Sequence, residues 1–155
     1  MKILKDNIII REANHADAFY LSEMQYAMAM ETENLALDKE IVKKGLKALF
    51  DDPSKGKYYV LTEKDNIIGC VLNTFEWSEW RNAYILWIQS LYIVPEHRGK
   101  GLFKEMYLFF QELVKNSKEL RGIRLYVDKS NQKAIETYKA IKMSNQHYEM
   151  FEWLE

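Results

Sequence analysis

Two glycines bracket a lysine in the stretch Pro95–Phe103, "PEHRGKGLF", and an arginine stands directly before them. The apolar run "AYILWIQSLYIV" leads in, and "LFKEMYLFFQELV" leads out with the spacing of a helix. A strand that turns through glycines into a helix presents the unpaired N–H groups of the helix's first turn. The helix dipole favours negative charge at the same end. Glycine lets the backbone turn tightly and approach a ligand closely. With Arg98 and Lys100 adding positive charge, this chemistry points to a phosphate or pyrophosphate. Neither common nucleotide loop fits. A Walker loop needs Ser or Thr after its lysine, where Gly101 stands, and the dinucleotide fingerprint needs a third glycine where Lys104 stands. The alternative on the loop alone is a capped turn with no ligand.

Carboxylates beside aromatics form the second chemical cluster. In "METEN", Glu31 continues the stripe Met24–Ala27–Glu31, while Glu33 lies about 200° away on a continued helix. In "FEWSEWRN", period two puts Glu76 and Ser78 on one face and Trp77 and Glu79 on the other. Carboxylates near Trp77 and Trp80 suit a cationic amine through charge pairing and cation–π contact. A solvated charge run with loop aromatics is the alternative. Gln89 interrupts the apolar run; its amide does not take a proton at neutral pH but orients a water. His97 lies inside the glycine loop and reads as an exposed loop histidine.

These residues need elements to hold them. Residues 7–12 read as a strand, and Asn14 as the cap of a helix through about Thr32. Phe19 or Tyr20, Met24, Ala27 and Met28 mark its inner face. Asp38 opens a second helix with Ile41, Val42, Leu46 and Leu49 inward. "DDPSKG" is a turn, and residues 57–63 and 67–77 read as a hairpin closed by "EKDN". Residues 83–94 are the most apolar strand, hence a central one. A helix at 101–118 follows, with Leu102, Met106, Phe109, Phe110 and Leu113 inward. Then come a strand at 123–127, a helix from Ser130 or Asn131 to Ile141, and a last strand at 147–153. The order is β-α-α-β-β-β-α-β-α-β, one α+β domain over residues 1–155.

Composition narrows the classes of function. The 155 residues fit one domain, and a net charge of -1 gives no basic face for nucleic acid or an anionic membrane. Residues 83–94 are too few to span a bilayer, and "MKILKDNIII" lacks the long apolar region of a signal peptide. A cytoplasmic location is expected. The one cysteine, Cys70, allows no internal disulfide and reads as a small buried hydrophobe. His15, His97 and His147 show no metal-ligand spacing, so no metal is assigned.

"SLYIVPEHRGKGLF" resembles the acetyl-CoA loop of the GNAT N-acetyltransferase superfamily, commonly V-x-P-x-x-R-G-x-G-[IL]-[GA]. The family's downstream signature, an Asn opening a helix with a Tyr seven residues later, is matched in "SNQKAIETYKAIKM". The resemblance covers nearly the whole chain. It implies a mixed, mostly antiparallel central sheet, flanked by helices and splayed at a cofactor cleft, with acetyl-CoA as cosubstrate. Backbone groups of Leu91, Tyr92 and Ile93 would pair with the pantetheine arm. Backbone N–H groups of Arg98, Gly99, Lys100, Gly101, Leu102 and Phe103 would cradle the pyrophosphate, and Asn131 would bond the cofactor arm. Tyr138 would sit near the thioester sulfur; from its helix alone it reads as a core tyrosine. Two positions depart from the pattern: Phe103 stands where Gly or Ala is usual, and Lys142-Met143 where a Gly-Phe pair is usual.

The implied activity is acyl transfer from acetyl-CoA directly to a primary amine of a small molecule. A protein or peptide amine, or a catalytically silent CoA-binding sensor, are the alternatives. An alkylamine with a pKa of about 10.4 must first lose a proton, at roughly 4–5 kcal/mol at neutral pH. The departing thiolate needs a donor, for which a tyrosine hydroxyl is suited. Some family members place a Glu on the central strand before the loop, where the corresponding region here reads "WIQSLY", with Gln89. In the family the acceptor site borders the first helix's end and the connection between the third and fourth strands, which brings in Glu31, Glu33, Glu76, Trp77, Trp80 and Gln89. The resemblance also allows a homodimer through the last strands.

Overall fold

A computed structural model describes residues 1–153. The chain divides into two compact units, Met1–Arg124 and the segment from Leu125 onward. The first unit carries β1 (Lys2–Ile3), β2 (Ile9–Glu12), α1 (Ala18–Glu33), α2 (Lys39–Asp51), β3 (Lys57–Glu63), β4 (Asn66–Ser78), β5 (Ala83–Ile93) and α3 (Leu102–Asn116). β6 (Leu120–Leu125) runs to the division, and α4 (Gln132–Ala140) belongs to the second unit. The result is a mixed α+β fold around a six-stranded sheet in the order β1-β2-β3-β4-β5-β6.

Neighbours from β1 to β5 are antiparallel. β5 and β6 run the same way: Tyr84 N–H donates to the Glu119 carbonyl at 2.7 Å, and Ile85 packs against Gly122 one step on. The parallel pair requires a crossover, which α3 supplies. One sheet face packs under α1 and α2, where Leu21, Met24 and Leu46 meet Tyr58, Val60, Cys70 and Tyr92. α3 covers the other face, with Phe109 and Phe110 edge-on to Tyr59. Leu102, Met106 and Phe110 are buried as their spacing predicts.

Several local expectations are corrected. Asn14 caps a 3-10 turn, His15–Asp17, and α1 starts only at Ala18. Asp17 ends this turn with its carboxylate on both Arg11 guanidinium nitrogens, at 2.7 and 2.8 Å, and on the Asn14 N–H. Leu21 turns inward in α1, while Phe19 and Tyr20 are exposed; Ile41 of α2 is exposed as well. Asp38 does cap α2, accepting from Glu40 N and Ile41 N. The last strand expected at 147–153 is absent: the sixth strand is β1. Along "HYEMFEW", Tyr148 and Met150 share one parity while Phe151 and Trp153 share the other, so the segment has no single apolar face to bury. All four are exposed. No helix among the described residues is long and apolar enough to cross a membrane.

Candidate functional site

β5 positions the site, and its register contains a one-residue irregularity. Leu72 pairs with Ser90 while Asn73 pairs with Ile88, so Gln89 is an extra residue, a β-bulge. The bulge shifts parity along the strand. Trp87 below it, and Ser90 and Tyr92 above it, therefore all project to the α1–α2 face. Buried Asn73, 0% exposed, donates its amide N–H to the Trp87 carbonyl at 3.1 Å within this irregular stretch. β6 starts level with Tyr84 and has six residues, so it ends near the level of Gln89. Leu91, Tyr92 and Ile93 lie past that level.

The chain then turns through a 3-10 segment, Pro95–His97, into the glycine loop. Gly99 and Gly101 both take left-handed backbone, with φ of 74° and 78°. No other residue type adopts that conformation as cheaply. Gly101 is the N-cap of α3 and offers no side-chain cap; the helix's own bonds begin with Glu105 N–H to the Gly101 carbonyl at 3.2 Å. The N–H groups of its first turn are thus aimed out of the helix end. The N–H of Arg98 donates to the Pro95 carbonyl, so the outward-facing series starts at Gly99. The residues present fit a pyrophosphate.

Arg98 turns away from this cradle. Its Nε donates to the Ile93 carbonyl at 2.7 Å, a terminal nitrogen donates to Glu31 at 2.7 Å, and the guanidinium lies over the Tyr92 ring. Glu31 also accepts from the Tyr92 hydroxyl at 2.8 Å. The Tyr92 bond first, and then Arg98, hold the Glu31 carboxyl below its usual pKa. Its expected inward direction is observed, but its charge is matched by Arg98. Lys5 was not legible as part of the site: it reaches from a turn after β1 and donates to the Lys100 carbonyl. His97 is more enclosed than a free loop histidine, its side chain 18% exposed and its Nε2 3.3 Å from Glu63.

Glu76 faces the α1–α2 side, as period two predicts. It accepts from Trp87 Nε1 at 2.5 Å and from Arg124 at 2.9 and 3.0 Å. The Trp87 bond is the main cause holding its carboxyl below the usual range; burial opposes and Arg124 assists. Beside it Gln89 donates to Thr74 Oγ1 at 2.9 Å. Trp77 lies on the opposite face, edge-on to Tyr84, and Trp80 is 86% exposed in the β4–β5 turn. Glu33 is exposed at the end of α1. The six acceptor-side candidates are thus divided: Glu76 and Gln89 share a patch, Glu31 joins the glycine loop through Arg98, and Trp77, Trp80 and Glu33 stand apart. Arg124 and Thr74 complete the Glu76 patch. The alternation in "IRLYV" could have indicated the first of these, but its pairing with Glu76 crosses one strand, β5.

In the second unit, Asn131 caps α4, its side-chain oxygen accepting from Ala134 N at 3.1 Å. Tyr138 is half-buried on α4, and burial raises its pKa, which keeps the phenol protonated at neutral pH. Among the cavities of the first unit are two of moderate size. One, of about 410 Å³, is lined by Tyr59, Phe75, Tyr84 and the C-terminal end of α3; the other, of about 250 Å³, lies between α1 and α2. Neither includes a residue of the glycine loop. Among the described residues no three His, Cys, Asp or Glu side chains converge as a metal site.

Comparison with known proteins adds to this geometry. The family described as Acetyltransferase (GNAT) family matches residues 17–142. A crystal structure of a possible acetyltransferase from Clostridium difficile 630 is 39% identical, with a TM-score of 0.88, covering 96% of this chain and 97% of that one. A ribosomal-protein-alanine N-acetyltransferase from Brucella melitensis biovar Abortus 2308 shares the fold at 14% identity and a TM-score of 0.74, covering 95% of this chain and 99% of that one. An aminoglycoside acetyltransferase from an uncultured soil metagenomic sample does so at 16% identity and 0.73, covering 97% and 99%. No curated protein matches the chain.

Proposed function

The chain belongs to the GNAT acetyltransferase family, and on that premise we propose that it is an N-acetyltransferase moving the acetyl group of acetyl-CoA directly to a primary amine of a small molecule. The observation that carries this reading is the pair of left-handed glycines turning β5 into α3, which leaves the helix's first N–H groups aimed outward. Acetyl-CoA supplies the activated acyl group as a thioester. Backbone N–H groups from Gly99 to Phe103 bind its pyrophosphate, and the strand end at Leu91–Ile93, past the reach of β6, offers backbone partners to the pantetheine arm. Asn131 has its amide N–H left to donate to that arm after capping α4 with its oxygen.

The amine attacks as its neutral form; the C–N bond forms, the C–S bond breaks, and the sulfur takes a proton. Tyr138 is the donor in this reading, from its match to the family's position; a phenol is protonated at neutral pH, and burial raises its pKa further. Glu76, held ionised beside Trp87 and Arg124, is a poor base; its charge is already paired with Arg124, so it would meet a substrate ammonium only alongside that guanidinium. Gln89, bonded to Thr74 Oγ1, would orient a water that carries the amine's proton away. The whole chain acts as one domain in this reading.

The test is thiol release from acetyl-CoA against a panel of polyamines, aminoglycosides, amino acids and short peptides, with calorimetric titration of acetyl-CoA alongside. Turnover with a small amine is expected. Turnover confined to peptides moves the acceptor to protein, and tight binding without turnover on any amine favours the sensor. No binding overturns the reading of the loop.

A further inference from the structure

We propose that Lys5 is a phosphate-binding residue, the cation that faces the pyrophosphate in place of Arg98; this rests on the acetyl-CoA reading above. The loop motif carries two basic side chains, and sequence alone assigns both to the anion. The structure divides them. Arg98 has its charge matched by Glu31 and its remaining direction fixed by the Ile93 carbonyl and the Tyr92 ring. Lys5, about a hundred residues away in sequence, instead brings its ammonium to the loop. It donates to the Lys100 carbonyl, and it stands 3.3 Å from where a Cβ on Gly101 would lie.

That location is electrostatically unusual. Gly101 is the N-cap of α3, the end at which the helix dipole is positive. Lys100 is adjacent, and among the described residues neither Lys5 nor Lys100 has a carboxylate within ion-pair distance. The Lys5 ammonium and a positive helix end in one place repel one another unless an anion lies between them. A single carbonyl contact does not balance that. A pyrophosphate seated on the N–H groups of Gly99 to Phe103 would, with the Lys5 ammonium beside Gly101. The turn that presents Lys5 is itself specialised: Asp6 and Asn7 both take left-handed backbone, with φ of 55° and 60°. Asp and Asn are the non-glycine residues that enter this region most readily.

The experiment compares wild type, Lys5→Gln and Lys5→Arg in the full chain, with three ligands: CoA, dephospho-CoA and S-acetyl-pantetheine. The first two share the pyrophosphate, the second lacks the 3′-phosphate, and the third has no phosphate. Lys5→Gln should weaken CoA and dephospho-CoA alike, by about five- to tenfold at low salt. It should leave kcat/KM with S-acetyl-pantetheine unchanged, and the wild-type advantage should shrink as salt is raised. Lys5→Arg should retain most of the affinity. An equal loss with all three ligands, or no loss with any, overturns the proposal while leaving the acetyl-CoA reading intact. A loss confined to CoA overturns the pyrophosphate assignment. Wild-type protein that binds neither CoA nor dephospho-CoA overturns both.

Discussion

Tyr138 and Glu31 illustrate how one side chain's surroundings separate chemistry from scaffolding. Tyr138 has a pKa raised by burial and is the proposed proton donor to the leaving thiolate. Tyr138→Phe removes the hydroxyl and keeps the ring. Turnover should fall about a hundredfold, with acetyl-CoA affinity in calorimetry unchanged; equal activity would make Tyr138 a core residue. Glu31 reads from its helix position as an acceptor-facing carboxylate, yet its oxygens are taken by Tyr92 and Arg98. Nothing local in "METEN" reveals a partner 67 residues downstream. Gly101 has a left-handed φ and Lys5 close above it, so Gly101→Ala carries both strain and crowding. Gly99→Ala meets open space and carries the strain alone. Each should cost about 1 kcal/mol in urea unfolding, with Gly101→Ala also weakening acetyl-CoA binding more than Gly99→Ala does.

Among elements, the join of β2 to α1 depends on the Arg11–Asp17 pair, in which the Asp17 side chain is 8% exposed. The Arg11 bond is the main cause lowering the Asp17 pKa. A depressed folded-state value means stability that is present above the unfolded pKa of about 3.9 and lost as pH falls through the folded one. Asp17→Asn should therefore lose about 2 kcal/mol at neutral pH, and this part of the acid destabilisation should vanish from its pH profile below about pH 4. The β3–β4 hairpin closes on Lys64 and Asp65, both with positive φ, a two-residue turn that prefers Asn-Gly. The double change Lys64→Asn, Asp65→Gly should raise Tm by about 2–4 °C.

Elements with a local chemical signature were legible in the sequence: the Asp38 cap of α2, the hairpin, and the passage from β5 through glycines into α3. What escaped depends on tertiary partners. β1 is two residues long and has no pattern of its own. The Gln89 bulge lies in a stretch apolar on both faces, where alternation carries no information on register. The terminal aromatics have β propensity but no common face, and propensity without burial makes no strand. Lys5 meets the loop only because the N-terminal turn folds back beside α3.

For the whole molecule, the acetyl-CoA reading predicts linkage between ligand and stability. At a hundred times its Kd, acetyl-CoA should add about 2.7 kcal/mol by mass action, visible as a Tm rise of several degrees. The rise should shrink in high salt if phosphate contacts dominate. An unchanged Tm at saturating ligand would count against binding to the folded chain.

Cys70 gives the chain a practical character of its own. It is the sole cysteine of the sequence, fully buried under α1, and burial pushes its thiol up to about 12. Thiolate is the reactive species, so at neutral pH the native protein should react only slowly with thiol-directed dyes. A colour reaction that counts liberated coenzyme thiols will therefore read the coenzyme with little enzyme background. Slow labelling of Cys70 becomes a clock for transient opening of the α1-covered face. A cysteine introduced on an exposed position, such as Trp80→Cys, would be the handle that a fluorophore finds first.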